Sequence, residues 1–477
     1  MERSDAHRDV WGKKVTVVGL GRTSMALVRL LLRHGAKPWV TEQSDSSVSR
    51  DHIDFLKTFK VPYELGGHTP AAFTDAAFVI PSPGVAPGIE PIQQAAAAGA
   101  TVISEMEFAY EYCNSAIIAV TGTNGKTTTT ELIRAIIESC GRSVALAGNN
   151  DYPFSAAVLE DPAPEFMVLE VSSYQLELTQ TFRPWIGALL NVGVDHLGRH
   201  QTLQKYAAIK QLIFANQQAG DHAIFNASDR ATCPAESVDD RAVWPFSLDS
   251  RQAQGVWLDG DTIRHGDEAI GQQSDAQLVG RHNGENVLAA LSVARAAALP
   301  WEEVLEGLRG FAAVEHRIER VTTIDDVAYY NDSKSTNVDS LKVALETFGC
   351  EEDEDTRAPV VLIAGGREKE SDYSVLIDLV ADRVSTLVTF GEAAPLFEGI
   401  FGGRVSTTRA SGMDDAVLKA AAVARGGDVV LLSPGCASFD MFANFEERGE
   451  EFKRQVFKLA HCRERGAQRL KQQGEGS

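Results

Sequence analysis

Residues 115–127 read SAIIAVTGTNGKT, and the stretch that follows, TTTELIRAIIESCG (128–141), has helical spacing. An apolar strand thus runs through a glycine-rich turn directly into a helix. That commits this part of the chain to an α/β layer with a mostly parallel sheet. Glycines in such a turn let backbone N–H groups point inward, and the helix N-terminus adds a partial positive charge. Gly122, Thr123, Asn124 and Gly125 make the turn, Lys126 supplies a full charge for terminal phosphates, and Thr127 and Thr128 open the helix. The Thr127 hydroxyl is suitably placed to ligate magnesium. The spacing is shorter than the general G-x-x-x-x-G-K-[ST] pattern, because position 120 is valine. The plainer alternative is a simple turn with a surface lysine. Strand, glycines, Lys-Thr and helix in unbroken order favour phosphate binding.

Further short apolar runs have the look of strands covered on both faces. They are KVTVVGLG (14–21), PWVTE (38–42), AAFVIPSPG (76–84), FMVLEVSS (166–173), WIGALLNVG (185–193), VAYYNDS (327–333), PVVLIAGG (359–366), STLVTFG (385–391) and DVVLLSPG (428–435). Helical patterns with Gly or Pro stops lie between them. A chain of 477 residues is too long for one ordinary core. Boundaries are expected near 113 and 313, giving domains 1–113, 114–313 and 314–477. The acidic run EEDEDTR (351–357) reads as a solvated loop, and the polar tail RERGAQRLKQQGEGS (463–477) is expected to fray.

The formal net charge of -21 argues against a general nucleic-acid or membrane-surface binder. It leaves room for a nucleotide held in a local positive pocket. Six scattered cysteines without C-x-x-C or zinc spacing fit a reduced, cytoplasmic protein. No run reaches the roughly 20 apolar residues of a membrane span, and the charged N-terminus has no signal-peptide core.

Other polar groups fall at strand ends, where open α/β sheets bind ligands. Gly19-Leu20-Gly21-Arg22-Thr23-Ser24 follows a strand and opens a helix, with Glu42 ending the next strand. This suits either a nicotinamide dinucleotide or, read with Pro83-Gly84, a nucleotide diphosphate such as UDP. Glu170 follows a strand and can ligate magnesium, and Asp195-His196 follows another. Lys210 lies in KYAAIKQLIF; by itself it reads as a lysine snorkelling from an amphipathic helix.

TGTNGKTT, LEVSSYQLE, NVGVDHLGRH, YAAIKQLIF, GRHNGENVLAAL, EHRIE, YYNDSKSTN and LLSPGCASFDMFANFEERG occur in this order. Together they resemble the Mur ligases of peptidoglycan precursor synthesis, over residues 12 to 458. The resemblance implies a Rossmann-like N-terminal domain for a UDP-linked substrate, a central P-loop ATPase domain, and a Rossmann-like C-terminal domain for an amino acid. It implies ATP, two Mg2+ ions and an acyl-phosphate route to an amide. Lys126 and Thr127 would hold phosphate and magnesium, Glu170 one metal ion, and His196 and Lys210 the second. The family's lysine at the Lys210 position is carbamylated, which exchanges a repelling ammonium for the oxygen ligands magnesium prefers.

Asn283 and Asn286 would meet the adenine nucleotide, joined by Arg317, Asp332 and Lys334 from the third domain. Thr336, Lys369, Ser438 and Phe445 resemble an amino-acid pocket, with Lys369 facing a carboxylate. Arg22, Thr23, Glu42 and Gly84 map to the uridine-diphosphate end, and Asn149 to the muramoyl part. The segment 433–449 favours UDP-N-acetylmuramoyl-L-alanine and D-glutamate as the small-molecule substrates, handled by a cytoplasmic monomer without nucleic-acid or membrane partners.

Three positions depart from the family pattern: Asp151 replaces a loop glycine, Gly198 stands where Asp is usual, and Glu42 stands where Asp is common. Two other classes compete. A nicotinamide-dependent oxidoreductase built on GLGRTS leaves TGTNGKTT unexplained. A non-catalytic nucleotide sensor would keep the loop without turnover.

Overall fold

The computed structural model describes residues 9–45, 48–150, 152–195, 197–234, 242–276, 278, 280–311, 315–348, 359–368 and 372–474. The chain divides into two compact units, 1–276 with 285–311, and 277–284 with 312–477.

The first unit holds two sheets. One has β1 (Lys14–Val18), β2 (Lys37–Glu42), β3 (Tyr63–Leu65), β4 (Phe78–Pro81) and β5 (Thr101–Val102). Its order is β3-β2-β1-β4-β5, all parallel. β1 reads KVTVV and is buried from its second residue on, as a central strand covered on both faces must be. The helix Arg22–Arg33 follows it and turns Met25, Leu27, Val28, Leu30 and Leu31 inward.

The second sheet has β6 (Ala116–Thr121), β7 (Val144–Gly148), β8 (Phe166–Glu170), β9 (Ile186–Leu189), β10 (His222–Asn226), β11 (Ala242–Ser247), β12 (Val256–Asp259), β13 (Thr262–His265) and β14 (Glu268–Gln272). Its order is β14-β13-β12-β11-β10-β9-β6-β8-β7. β7 to β12 run parallel, and β12, β13 and β14 form an antiparallel edge. One apolar cluster, from Val10 through Phe108, Phe154 and Phe182 to Ala223, is shared by both sheets. The boundary expected near 113 lies between β5 and β6, which both belong to this unit.

The second unit holds β15 (Glu319–Ile324), β16 (Val327–Asn331), β17 (Val360–Gly365), β18 (Val384–Phe390), β19 (Ser406–Arg409) and β20 (Val429–Leu432). The order is β15-β16-β20-β17-β18-β19, with only β15 antiparallel. β17 and β20 are apolar throughout and buried along their whole length, which fits the continuous runs in the sequence.

The run 351–357 lies outside the described residues. The tail expected to fray is instead helical to Gly474, in one helix Phe445–Gly474. Its charged residues carry the helix on, since Glu, Lys, Arg and Gln are good helix formers without burial.

Candidate active site

The phosphate loop connects β6 to the helix Lys126–Ser139. Gly125 caps that helix with φ +84, where a Cβ would meet Asn286 Oδ1 at 2.2 Å. Only glycine satisfies both constraints. Asn191, just beyond β9, braces the loop: the Asn124 N–H donates to its Oδ1 at 2.9 Å, and its Nδ2 donates to the Asn124 carbonyl at 3.2 Å. The Gly193 N–H donates to Thr123 Oγ1 at 2.8 Å.

The Lys126 ammonium folds back over this turn. It donates to the carbonyls of Gly122 and Thr123, both at 2.8 Å. The Thr127 hydroxyl donates to Glu170 Oε2 at 2.8 Å. Glu170 ends β8, which lies beside β6, so strand pairing alone brings carboxylate and hydroxyl together. The other oxygen, Oε1, accepts from Asn149 Nδ2 at 2.9 Å, and the Asn149 N–H donates to the Glu170 carbonyl at 2.7 Å. A hydroxyl beside a carboxylate at the end of a phosphate loop is a hard-oxygen donor set of the kind magnesium accepts.

Lys210 departs from the snorkelling reading. It is 1% exposed, on the helix Leu203–Gln211. Its Nζ donates to the Gly122 carbonyl at 2.8 Å and lies 4.6 Å from the centre of the Tyr206 ring. Burial, with the nearby Lys126 charge, holds its amine well below the usual lysine range, against a smaller opposing pull from Asp195. Asn286 Oδ1 accepts from the Thr129 hydroxyl at 3.2 Å, which fixes Asn286 against the loop helix. Lys126, Thr127, Asn149, Glu170, Lys210 and Asn286 are thus grouped around one loop. His196 lies outside the described residues, as does Asp151. Gly198 sits in the short helix Leu197–His200.

At the first sheet, Glu42 is already committed to backbone. Its Oε2 accepts from the Leu20 N–H at 2.7 Å and its Oε1 from the Ser44 N–H at 2.9 Å. It shapes the glycine turn from below, and its hydrogen-bonding capacity is partly spent there. Ser24 Oγ and Ser82 Oγ are 2.7 Å apart, which closes the Gly19 turn on the Ser82–Val85 turn that carries Gly84. Arg22 is exposed and Thr23 half-buried at the start of the helix. Arg199, not singled out in the sequence, donates to the Val85 carbonyl at 3.2 Å and to Glu177 at 2.8 Å.

In the second unit Asp332 is buried at the end of β16. Its Oδ2 accepts from the Ser433 hydroxyl at 2.7 Å and its Oδ1 from the Ile318 N–H at 3.3 Å. Burial pushes its carboxyl up to about 7, against Ser433 and the Arg317 charge. The Lys334 ammonium lies 5.2 Å from the centre of the Phe445 ring. Ser438 is buried and Thr336 half-buried. Asn283 belongs with this unit, in the segment 277–284. Lys369 lies outside the described residues.

A residue the sequence reading passed over organises this cluster. Arg448 is fully buried; its Nε donates to Ser333 Oγ at 3.0 Å, its Nη2 to the Ser333 carbonyl at 2.7 Å, and its Nη1 to the Cys436 carbonyl at 3.0 Å. The Ser333 hydroxyl in turn donates to the Phe445 carbonyl at 2.7 Å. The available signal was EERGE, an arginine on the inward face of a charged helix.

The family models agree with this arrangement in order and extent. Residues 13–104 match the Mur ligase MurD-like N-terminal domain, 120–294 the Mur ligase middle domain, and 316–436 the Mur ligase glutamate ligase domain. The chain belongs to the Mur ligase family, built as three α/β domains of that type. Among its relatives is the UDP-N-acetylmuramoylalanine–D-glutamate ligase of Salinibacter ruber, 42% identical over 464 residues, covering 93% of this chain and 97% of the relative. The enzyme of that name from Pelodictyon phaeoclathratiforme is 40% identical over 475 residues, covering 95% and 99%. In fold, the chain is similar to the MurF ligase of Thermotoga maritima, with a TM-score of 0.58 at 17% identity, covering 95% of this chain and 97% of that one. The UDP-N-acetylmuramate-alanine ligase of Thermotoga maritima gives 0.57 at 16% identity, covering 94% and 99%. Among the described residues, no helix is long and apolar enough to cross a membrane.

Proposed function

We propose that the protein joins D-glutamate to UDP-N-acetylmuramoyl-L-alanine at the expense of ATP, through an acyl phosphate, as a monomer in the cytoplasm. The observation that carries this reading is the grouping of Lys126, Thr127, Glu170 and Lys210 at one phosphate loop, in a chain 42% identical over 464 residues to a ligase named for that reaction. Residues 1–113 would hold the UDP end, with Arg22, Thr23, Glu42 and Gly84. Residues 114–313 would hold ATP, and residues 314–477 the amino acid.

Thr127 and Glu170 would hold one magnesium ion, with His196 and a carbamylated Lys210 for a second. Bound magnesium supplies charge neutralisation at the phosphates. Lys126 and the loop N–H groups orient the γ-phosphate toward the substrate carboxylate. Asn283 and Asn286, with Arg317, Asp332 and Lys334, would bind the adenine nucleotide. Asn149 holds Glu170 and would touch the muramoyl part. Lys369 and Ser438, with Thr336 and Phe445, orient the amino acid so that its amine attacks the activated carbonyl and phosphate leaves. Catalysis on this plan is positioning and electrostatics.

The test is phosphate release from ATP in the presence of UDP-N-acetylmuramoyl-L-alanine and a panel of amino acids. D-glutamate is expected to support turnover. Turnover with L-alanine or diaminopimelate and none with D-glutamate would overturn the assignment.

A further inference from the structure

Two carboxylates of one short helix, Glu105–Tyr110, are buried and reach away from the first sheet into the second. Glu107 accepts from the N–H groups of Gln180 at 2.9 Å, Thr181 at 2.7 Å and Phe182 at 3.0 Å. It thereby anchors the chain shortly downstream of Glu170. Glu105 does the matching task on the other side. Its Oε1 accepts from the Ser155 N–H at 2.6 Å and from the Ser155 hydroxyl. Glu105 is 2% exposed and Ser155 fully buried, and Glu105 Oε2 has no hydrogen-bond partner among the described residues.

Ser155 lies in the helix Phe154–Ala157, at the end of the loop that leaves β7. The start of that loop is the segment locked to the phosphate site. The Gly148 N–H donates to the Tyr152 carbonyl at 2.8 Å, which folds the loop on itself. Asn149 then grips Glu170 through both its N–H and its Nδ2, at 2.7 and 2.9 Å. The loop is therefore held at two ends by two carboxylates, Glu105 at Ser155 and Glu170 at Asn149. A buried carboxylate that accepts two hydrogen bonds from one residue leaves that residue little freedom.

We propose that Glu105 is a positioning residue for the cation-holding carboxylate Glu170, acting through Ser155 and the loop that presents Asn149. This rests on the reading of Glu170 as a magnesium ligand. Partners one step removed from a metal ligand set its orientation, and their loss lowers metal affinity about 10- to 100-fold. Here the controlling side chain comes from the stretch that closes the first sheet, so the substrate-binding part of the chain helps to define the cation site.

The experiment uses the full chain with ADP present and Mn2+ as the probe, its binding followed by electron paramagnetic resonance. Glu105→Ala is expected to weaken Mn2+ binding about tenfold, with ADP affinity in the absence of cation unchanged. Glu105→Gln keeps a carbonyl oxygen for Ser155 and is expected to restore Mn2+ binding toward that of the unaltered protein. Ser155→Ala removes one of the two hydrogen bonds and is expected to weaken binding less than Glu105→Ala does; it carries the test where Glu105→Ala fails to fold. Unchanged Mn2+ affinity in Glu105→Ala and Ser155→Ala, alongside loss in Glu170→Ala, overturns this inference alone. Unchanged affinity in Glu170→Ala overturns the metal assignment, and the inference with it.

Discussion

Lys210 and Lys126 donate to one and the same oxygen, the Gly122 carbonyl, each at 2.8 Å. Two full positive charges at one buried carbonyl are unfavourable, and the more buried of the two yields. Burial first, and the Lys126 charge second, keep the Lys210 amine well below its usual range. A neutral amine is nucleophilic, and attack on carbon dioxide with loss of a proton would give a carbamate. With 13C-bicarbonate, the protein is expected to show a carbamate resonance that Lys210→Ala lacks. Phosphate release in Lys210→Ala is expected to fall about 10- to 100-fold, the range for losing a group that orders a metal site. Full activity in Lys210→Ala would remove this lysine from the site.

Gly148 sits at φ +110 with its Cα pressed on Glu170, so that a Cβ would lie 2.2 Å from the Glu170 carbonyl oxygen. Neither the backbone angle nor the space admits a side chain. Gly148→Ala is expected to cost about 1–3 kcal/mol from backbone strain and to move the end of β8. The Mg2+ dependence of phosphate release should shift to higher concentration, while the D-glutamate KM stays near its original value. A variant with unchanged Mg2+ dependence would show that Glu170 is placed by other contacts.

The fold was legible because buried parallel strands leave continuous apolar runs, and VTVV, FMVLE and VVLL announce themselves without neighbours. Thr127 and Glu170 were legible for the same reason, since each follows such a run. Lys210 was legible only through the family resemblance: taken alone, a lysine on an amphipathic helix reads as a surface group until the fold shows that its helix lies against the Thr121–Gly122 turn. Glu105 and Glu107 were hidden by charge. The EMEFAY pattern gives no sign that both acids point inward, because their partners at Ser155 and at 180–182 are distant in sequence.

Arg448 was hidden in the same way, a charged residue that the fold buries completely. Its guanidinium ties the Ser333 loop, the Cys436 turn and the start of the helix Phe445–Gly474. Arg448→Met preserves bulk but strands buried acceptors, each costing about 1–3 kcal/mol. Ser438 and Phe445, both assigned to the amino-acid pocket, hang from these segments. The D-glutamate KM is expected to rise more than the ATP KM, measured by phosphate release. Arg448→Lys is not expected to rescue it, because one ammonium cannot reproduce the planar fork. Equal effects on both substrates would show a general loss of the second unit.

Asp332 makes the stability of the second unit depend on pH. Burial pushes its carboxyl up to about 7 in the folded chain, against about 3.9 for an unperturbed aspartate. Between those values the folded state keeps a proton that the unfolded state has lost. Stability from this group is therefore fully present below about pH 4 and is lost as pH rises through about 7. The loss amounts to a few kcal/mol in order of magnitude. Asp332→Asn cannot ionise and retains an oxygen for the Ser433 hydroxyl. Urea midpoints measured from about pH 4 to about 9 should fall more steeply in the unaltered protein than in Asp332→Asn up to about pH 7, and the two curves should run parallel above about pH 8. Parallel curves throughout would mean that Asp332 is ionised across the whole range, held by Arg317 against its burial.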